Sequence, residues 1–192
     1  MLKDLITSRV RVKLLTLLLS DPTKIYHVRE LVRQTDEEIN AVRRELLHLE
    51  SCGIVSKEPR ANRLYYSLRK SYPLFFELLE LVAKTSNLGG ELLKNRTKLG
   101  KIKFAMLSGK FVRHLQHSSN EVDLVVVGTV VLPELAQLVR AEEGRRTAEI
   151  NYTVMTEEEF HFRKSRRDPF IISILSSSRV MIIGDEEELI SA

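Results

Sequence analysis

Asn40, Arg43, Arg44 and His48 are the first residues of this chain whose types and spacing suggest chemistry. Asn40 to Arg44 and Arg44 to His48 are each one turn apart, which puts them on the polar face of a helix. An Asn amide can pair bidentately with adenine in the DNA major groove, and an Arg guanidinium with guanine. Asn40, Arg43 and Arg44 are therefore the candidates for base or phosphate contact, while His48 reads as a surface histidine. Arg60 and Arg63 flank the tip of a predicted hairpin and suit phosphate or minor-groove contact. Glu37 and Glu38, at the helix start, favour its dipole but would repel phosphate.

The elements that must position these residues are legible. Ile39, Val42, Leu46 and Leu49 recur at spacings of three, four and three, an apolar stripe on one helix. Gly53 can take positive φ and ends that helix. A hairpin follows, with residues 54–57 outward, a turn near Arg60, Ala61 and Asn62, and residues 63–68 returning. Upstream, residues 8–19 read as a helix capped by Ser8, with Val10, Leu14, Leu17 and Leu18 inward. Ser20, Asp21 and Pro22 break it, residues 24–26 suit a short strand, and residues 26–34 form a second helix with Val28, Leu31 and Val32 inward.

The run Val28-Arg29-Glu30-Leu31-Val32-Arg33, the helix ending through residues 46–55, and Arg63-Leu64-Tyr65-Tyr66-Ser67-Leu68 together resemble the winged helix-turn-helix of bacterial and archaeal transcription regulators of the arsenical-repressor type. The resemblance covers about the first third of the chain. It implies that residues 26–34 cross the phosphate backbone of double-stranded DNA while the next helix enters the major groove.

Charge distribution agrees with that placement. Residues 1–70 hold fourteen Lys and Arg against nine Asp and Glu, whereas residues 104–192 hold ten against fourteen. Only the first half is basic, where neutralising phosphates would supply sequence-independent affinity. Hydrophobic content of 43% beside 29% charged residues excludes disorder over most of the length. The sequence has no run of eighteen apolar residues and no signal-peptide plan, so a cytoplasmic protein with no membrane partner is expected. The single Cys52 can form no intrachain disulfide and no cysteine-based zinc site.

Residues 71–101 read as a helical linker. Pro73 suits a first helical position. Leu74, Phe75, Leu78, Leu79, Leu81 and Val82 are apolar over more than one stripe, as expected if the helix packs against both flanking domains or forms a homodimer interface. A dimer would present two recognition helices to two half-sites. Ser86, Asn87, Gly89 and Gly90 mark a break or hinge, followed by a basic connector of Lys94, Arg96, Lys98, Lys101 and Lys103.

From residue 102 the texture changes to short apolar strands and helices. Strands are predicted over 102–107, 122–127, 149–155 and 179–183. Helices are predicted over 133–143, over 156–163 with a capping box from Thr156 to Glu159, and from Asp168-Pro169 to 175. Asp185 opens a last turn. The predicted fold class is mixed α/β: a winged helix over 1–70, the linker over 71–101 and an α/β domain over 102–192.

This third segment resembles the minimal nucleotidyltransferase domain of the polymerase-beta superfamily. Phe104-Ala105-Met106-Leu107-Ser108-Gly109 stands where that family has a strand and a phosphate-holding Gly-Ser turn. Glu121-Val122-Asp123 stands where it has Asp-x-Asp, and Ile150-Asn151-Tyr152 where it has a third carboxylate strand. The resemblance implies Ser108 and Gly109 as nucleotide-binding and Glu121 and Asp123 as metal ligands and degenerate catalytic candidates. His114 and His117, one turn apart, could complete a metal site.

Several positions depart from the family pattern. Asn151 cannot ionise, unless Glu149 on the same face substitutes. Ser108-Gly109 inverts the turn, and residues 110–120 lack glycine-rich character. The expectation is a DNA-binding transcriptional regulator whose nucleotidyltransferase-like domain is inactive and serves ligand sensing, of a nucleotide or another small molecule, or dimerisation. No cofactor is then needed; Mg2+ and a nucleoside triphosphate enter only if the degenerate site is live. The alternative is an active metal-dependent nucleotidyltransferase that modifies a protein or small molecule and uses the winged helix for targeting.

Overall fold

The computed structural model describes residues 2–115 and 121–191. It is mixed α/β, and the chain divides into two compact units, Met1–Thr85 and Ser86–Ala192. The boundary falls within the segment read as a linker.

In the first unit the elements are α1 (Leu2–Leu5), α2 (Arg9–Ser20), β1 (Tyr26–His27), α3 (Val28–Thr35), α4 (Ile39–Ser51), β2 (Val55–Arg60), β3 (Arg63–Leu68) and α5 (Phe75–Thr85). Helix α2 packs on α3, α4 and α5, and Leu14, Leu18, Leu31, Val42, Leu46 and Leu49 lose essentially all solvent contact. Side-chain oxygens and one ring nitrogen fix the helix starts. Ser8 Oγ accepts the Arg11 N–H at 3.2 Å and donates to Glu45 Oε1 at 2.7 Å, which ties the start of α2 to α4. His27 Nδ1 accepts the Glu30 N–H at 3.1 Å. Glu38 Oε2 accepts the N–H groups of Asn40 and Ala41 at 2.9 and 3.0 Å.

Strands β2 and β3 form a hairpin that closes at the Arg60–Arg63 pair, and β1 adds to the outer side of β3, giving the order β1-β3-β2, all antiparallel. The two-residue turn puts Ala61 at φ +47°. Helix α5 begins at Phe75, not at Pro73, because Tyr72 and Phe75 close successive turns on Arg69 O and Tyr72 O before the helix starts.

The second unit comprises α6 (Asn87–Lys94), β4 (Gly100–Ser108), α7 (Gly109–Val112), β5 (Leu124–Val130), α8 (Leu132–Arg146), β6 (Tyr152–Met155), α9 (Glu157–Ser165), α10 (Pro169–Ser176), β7 (Arg179–Ile183) and α11 (Glu186–Ser191). Its sheet order is β6-β5-β4-β7. Strand β4 runs antiparallel to both neighbours, and β6 runs parallel to β5 after the α8 crossover. The central strands are continuous apolar runs because both faces are covered, and Phe104, Met106, Val125, Val127, Met155, Phe160, Ile171, Met181 and Leu189 form one core.

Gly128, at φ +141°, faces the irregularity between Ile102 and Phe104, where a Cβ would sit 2.3 Å from Lys101 O. Thr156, Asp168 and Asp185 cap α9, α10 and α11, each accepting a backbone N–H from its helix's first turn. Two expectations are corrected. Gly89 and Gly90 lie inside α6 instead of marking a break, and β6 starts at Tyr152, which leaves Glu149 exposed outside the strand.

Candidate nucleic-acid interface

Helix α4 turns its apolar stripe inward, which leaves Asn40, Arg43, Arg44, Leu47, His48 and Ser51 on the exposed side. A groove of about 470 Å³ separates this helix from the β2–β3 wing. Arg29 at the start of α3, Arg43 and Leu47 on α4, and Asn62, Arg63 and Leu64 on the wing line it, with His27 and Tyr66. The fold thus brings Arg43 and Arg63 from different elements to one groove. Asn40 and Arg44 share α4's exposed face but do not line it.

The pattern of ion pairs is uneven across this unit. Arg9 and Lys13 both hold Glu37, at 2.9 and 2.6 Å; Arg11 holds Glu45 at 2.8 Å, Lys24 holds Glu30 at 3.1 Å and Lys57 holds Glu50 at 3.0 Å. Among the described residues, Arg29, Arg43, Arg44 and Arg63 form no such pair. Arg9, Arg11, Lys13, Lys24 and Lys57 are neutralised internally, whereas the arginines around the groove and on the exposed face of α4 keep their charge for a partner.

Of the two acids at the start of α4, Glu37 is tied to α2 and Glu38 caps its own helix. The hydrogen bond from Lys13, with Arg9 alongside, holds Glu37 below the usual carboxylate range, and the backbone N–H groups of Asn40 and Ala41 do the same for Glu38. The negative charge of Glu37 is offset by the two cations that hold it. Arg60 differs from the other arginines: its guanidinium binds both oxygens of Glu58 at 2.9 Å and lies over the Tyr65 ring at 5.3 Å. Glu58 sits two residues away on the same strand face, so the wing supplies its own counter-ion there. His48 is exposed, its Nε2 3.7 Å from Cys52 Sγ.

Sequence reasoning singled out neither Arg29 nor the two groove leucines. Arg29 could have been found from the helical period of α3, which puts it opposite the buried Leu31; Leu47 sits off the apolar stripe that carries α4's burial.

In the second unit the predicted site residues serve the fold. Ser108 Oγ accepts the Phe111 N–H at 3.1 Å, and its own N–H donates to Asp123 O at 2.8 Å. The Gly109 N–H donates to Ser178 O at 2.7 Å, and a Cβ on Gly109 would stand 2.2 Å from Ser178 Oγ. The glycine is required by this close approach. Asp123 and Glu121 both precede β5. Asp123 is 1% exposed, and its Oδ2 accepts the Asn151 N–H at 3.0 Å. Glu121 is half-exposed and pairs with Lys110 at 2.6 Å.

A cleft of about 230 Å³ between β4, α7 and α10 includes Glu121 but not Asp123 in its wall, with Ser108, Lys110, Arg113, Phe170 and Arg179. No group of three or more His, Cys, Asp or Glu side chains suited to a metal occurs among the described residues. His114 lies in the turn after α7; His117 falls outside the described residues. No helix among the described residues is long and apolar enough to cross a membrane. Comparison with protein-family models, curated proteins and solved structures finds no match to this chain.

Proposed function

We propose that this protein is a DNA-binding transcriptional regulator whose first unit docks on double-stranded DNA, with α4 in the major groove and the wing against the backbone. The observation that carries the reading is the convergence of Arg29, Arg43 and Arg63, from α3, α4 and the wing, on one groove with no ion pair among the described residues. Unpaired guanidinium groups on two sides of one groove match a phosphate backbone running between helix and wing, with Asn40 beside it for base edges and Arg44 for an adjacent phosphate. The second unit is assigned to ligand sensing or dimerisation, a reading supported by its cleft and by the structural commitments of Ser108, Gly109 and Asp123.

The test is a fluorescence-anisotropy titration of the full chain with a labelled random-sequence duplex, repeated with ATP and magnesium. Binding at low salt that is lost in Arg43→Ala/Arg44→Ala, with the circular dichroism spectrum retained, is the expected result. Equal affinity in that variant would overturn the assignment of the reading face. A change in DNA affinity with nucleotide would make the second unit a nucleotide sensor.

A further inference from the structure

Leu47 is the odd residue on the exposed face of α4. Isolated exposed leucines are ordinary on protein surfaces, but the position of this one is particular. Asn40, Arg44, Leu47 and Ser51 follow one another at spacings of four, three and four, so Leu47 lies in the middle of the polar face. It sits roughly 130° round the helix from the buried Val42, Leu46 and Leu49. It contributes little to the core, remaining 55% exposed, and it lines the same groove as Arg29, Arg43 and Arg63. Leu64, the other exposed leucine of the groove, stands on the wing, so on the α4 face itself Leu47 is one aliphatic group framed by polar and cationic ones, which matches a base-edge surface that is mostly polar with one apolar point. A T·A pair in the major groove presents that surface, since the thymine 5-methyl is the only apolar group on the base edges there.

We infer that Leu47 is a specificity-determining residue that packs on a thymine methyl and makes the protein prefer T·A at the base pair it faces. The inference rests on the DNA-binding reading above and adds to it a base and a residue. It also selects among nucleic acids. An A-form RNA duplex has a major groove too deep and narrow for side chains to read, and uracil lacks the methyl.

The experiment uses the full chain. A randomised duplex pool is enriched on the wild-type protein, and the enriched site is resynthesised with deoxyuridine replacing each thymidine in turn. Removing one methyl from a closed apolar contact corresponds to about a fourfold loss of affinity. Wild type should show that loss at one position or at its symmetry mate. Leu47→Ala should bind the thymidine and deoxyuridine duplexes equally, and Leu47→Met should keep the difference.

An enriched site without thymine, tolerance of every replacement by wild type, or a deoxyuridine penalty that persists in Leu47→Ala would each overturn the inference. Failure to retain any duplex at low salt would show first, in the enrichment, and would overturn the DNA-binding reading together with this one. Leu47 is exposed, so the Ala variant keeps its fold, and a circular dichroism spectrum and thermal unfolding curve matching wild type verify that.

Discussion

The salt dependence of DNA binding tests the interface quantitatively. Each phosphate neutralised releases condensed counterions, so the logarithm of affinity falls with the logarithm of salt concentration by about 0.9 per contact. If Arg29, Arg43, Arg44 and Arg63 each take one phosphate, the slope is about −3.6, and raising salt from about 50 to about 200 mM weakens binding about 150-fold. Replacing Arg29, Arg43 and Arg63 together by Ala leaves one contact, a slope of about −0.9 and only about a 3.5-fold loss over the same range. Lys84, paired with Glu80 at 2.5 Å on α5, is the control whose replacement should leave the slope alone. Anisotropy titrations of the full-length variants at several salt concentrations give the slopes directly. A triple variant with the wild-type slope, or a Lys84→Ala variant that loses as much slope as one arginine, would refute the assignment of charge to this groove.

Glu58→Gln should free Arg60 from its bidentate pair and steepen the salt slope by up to about one phosphate contact; an unchanged slope would place Arg60 off the DNA. Asp123→Ala removes a buried carboxylate and leaves the part-buried Asn151 N–H without its acceptor, and should destabilise the protein by about 1–3 kcal/mol in chemical denaturation. Glu121→Gln, on a half-exposed side chain, should stay within about 0.5 kcal/mol, and the opposite ranking would refute the division of roles. Gly109→Ala forces a Cβ against Ser178 and should cost about 1–3 kcal/mol in the same assay; a neutral result would mean the approach relaxes freely. Because the folded-state pKa values of Glu37 and Glu38 are lowered, their stabilising contribution is complete above the ordinary carboxylate range and is lost as pH falls through the lowered values. Stability measured down through that range should therefore fall less steeply in Glu37→Gln/Glu38→Gln than in wild type, and parallel curves would contradict the assignment.

The first unit was largely legible because its signals are local. The apolar period of α4, the cap at Ser8 and the left-handed Gly53 act within a few residues of one another, as do the caps at Thr156 and Asp168 that were legible in the second unit. The misreadings occur where tertiary packing decides. Gly89 and Gly90 have poor helix propensity, yet Gly89 is buried in α6, which packs on α8 and β7. Pro73 was compatible with a helix start, but hydrogen bonds to Arg69 and Tyr72 make successive turns there first. Strand β6 is shorter than its apolar pattern because Asn151 O receives the Asp123 and Leu124 N–H groups, and the ladder proper begins at the Leu124–Tyr152 pair.

The candidate sites were harder to read for a related reason. A sequence shows which charges and donors exist, not which ones the fold has already engaged. Arg11 and Arg43 look alike in the chain, yet one is bound to Glu45 and the other faces an open groove. The same rule separates Glu121 from Asp123, two residues apart, because Asn151 approaches Asp123 from the neighbouring chain segment. Glu58 shows that engagement need not be long-range: a carboxylate two positions along one strand is enough to take an arginine from the wing tip. Engagement therefore discriminates between sites better than residue type does. It favours the groove between α4 and the wing, where the cations are unpaired, over the Glu121–Asp123 pair, where Oδ2 of Asp123 and the carboxylate of Glu121 already have partners.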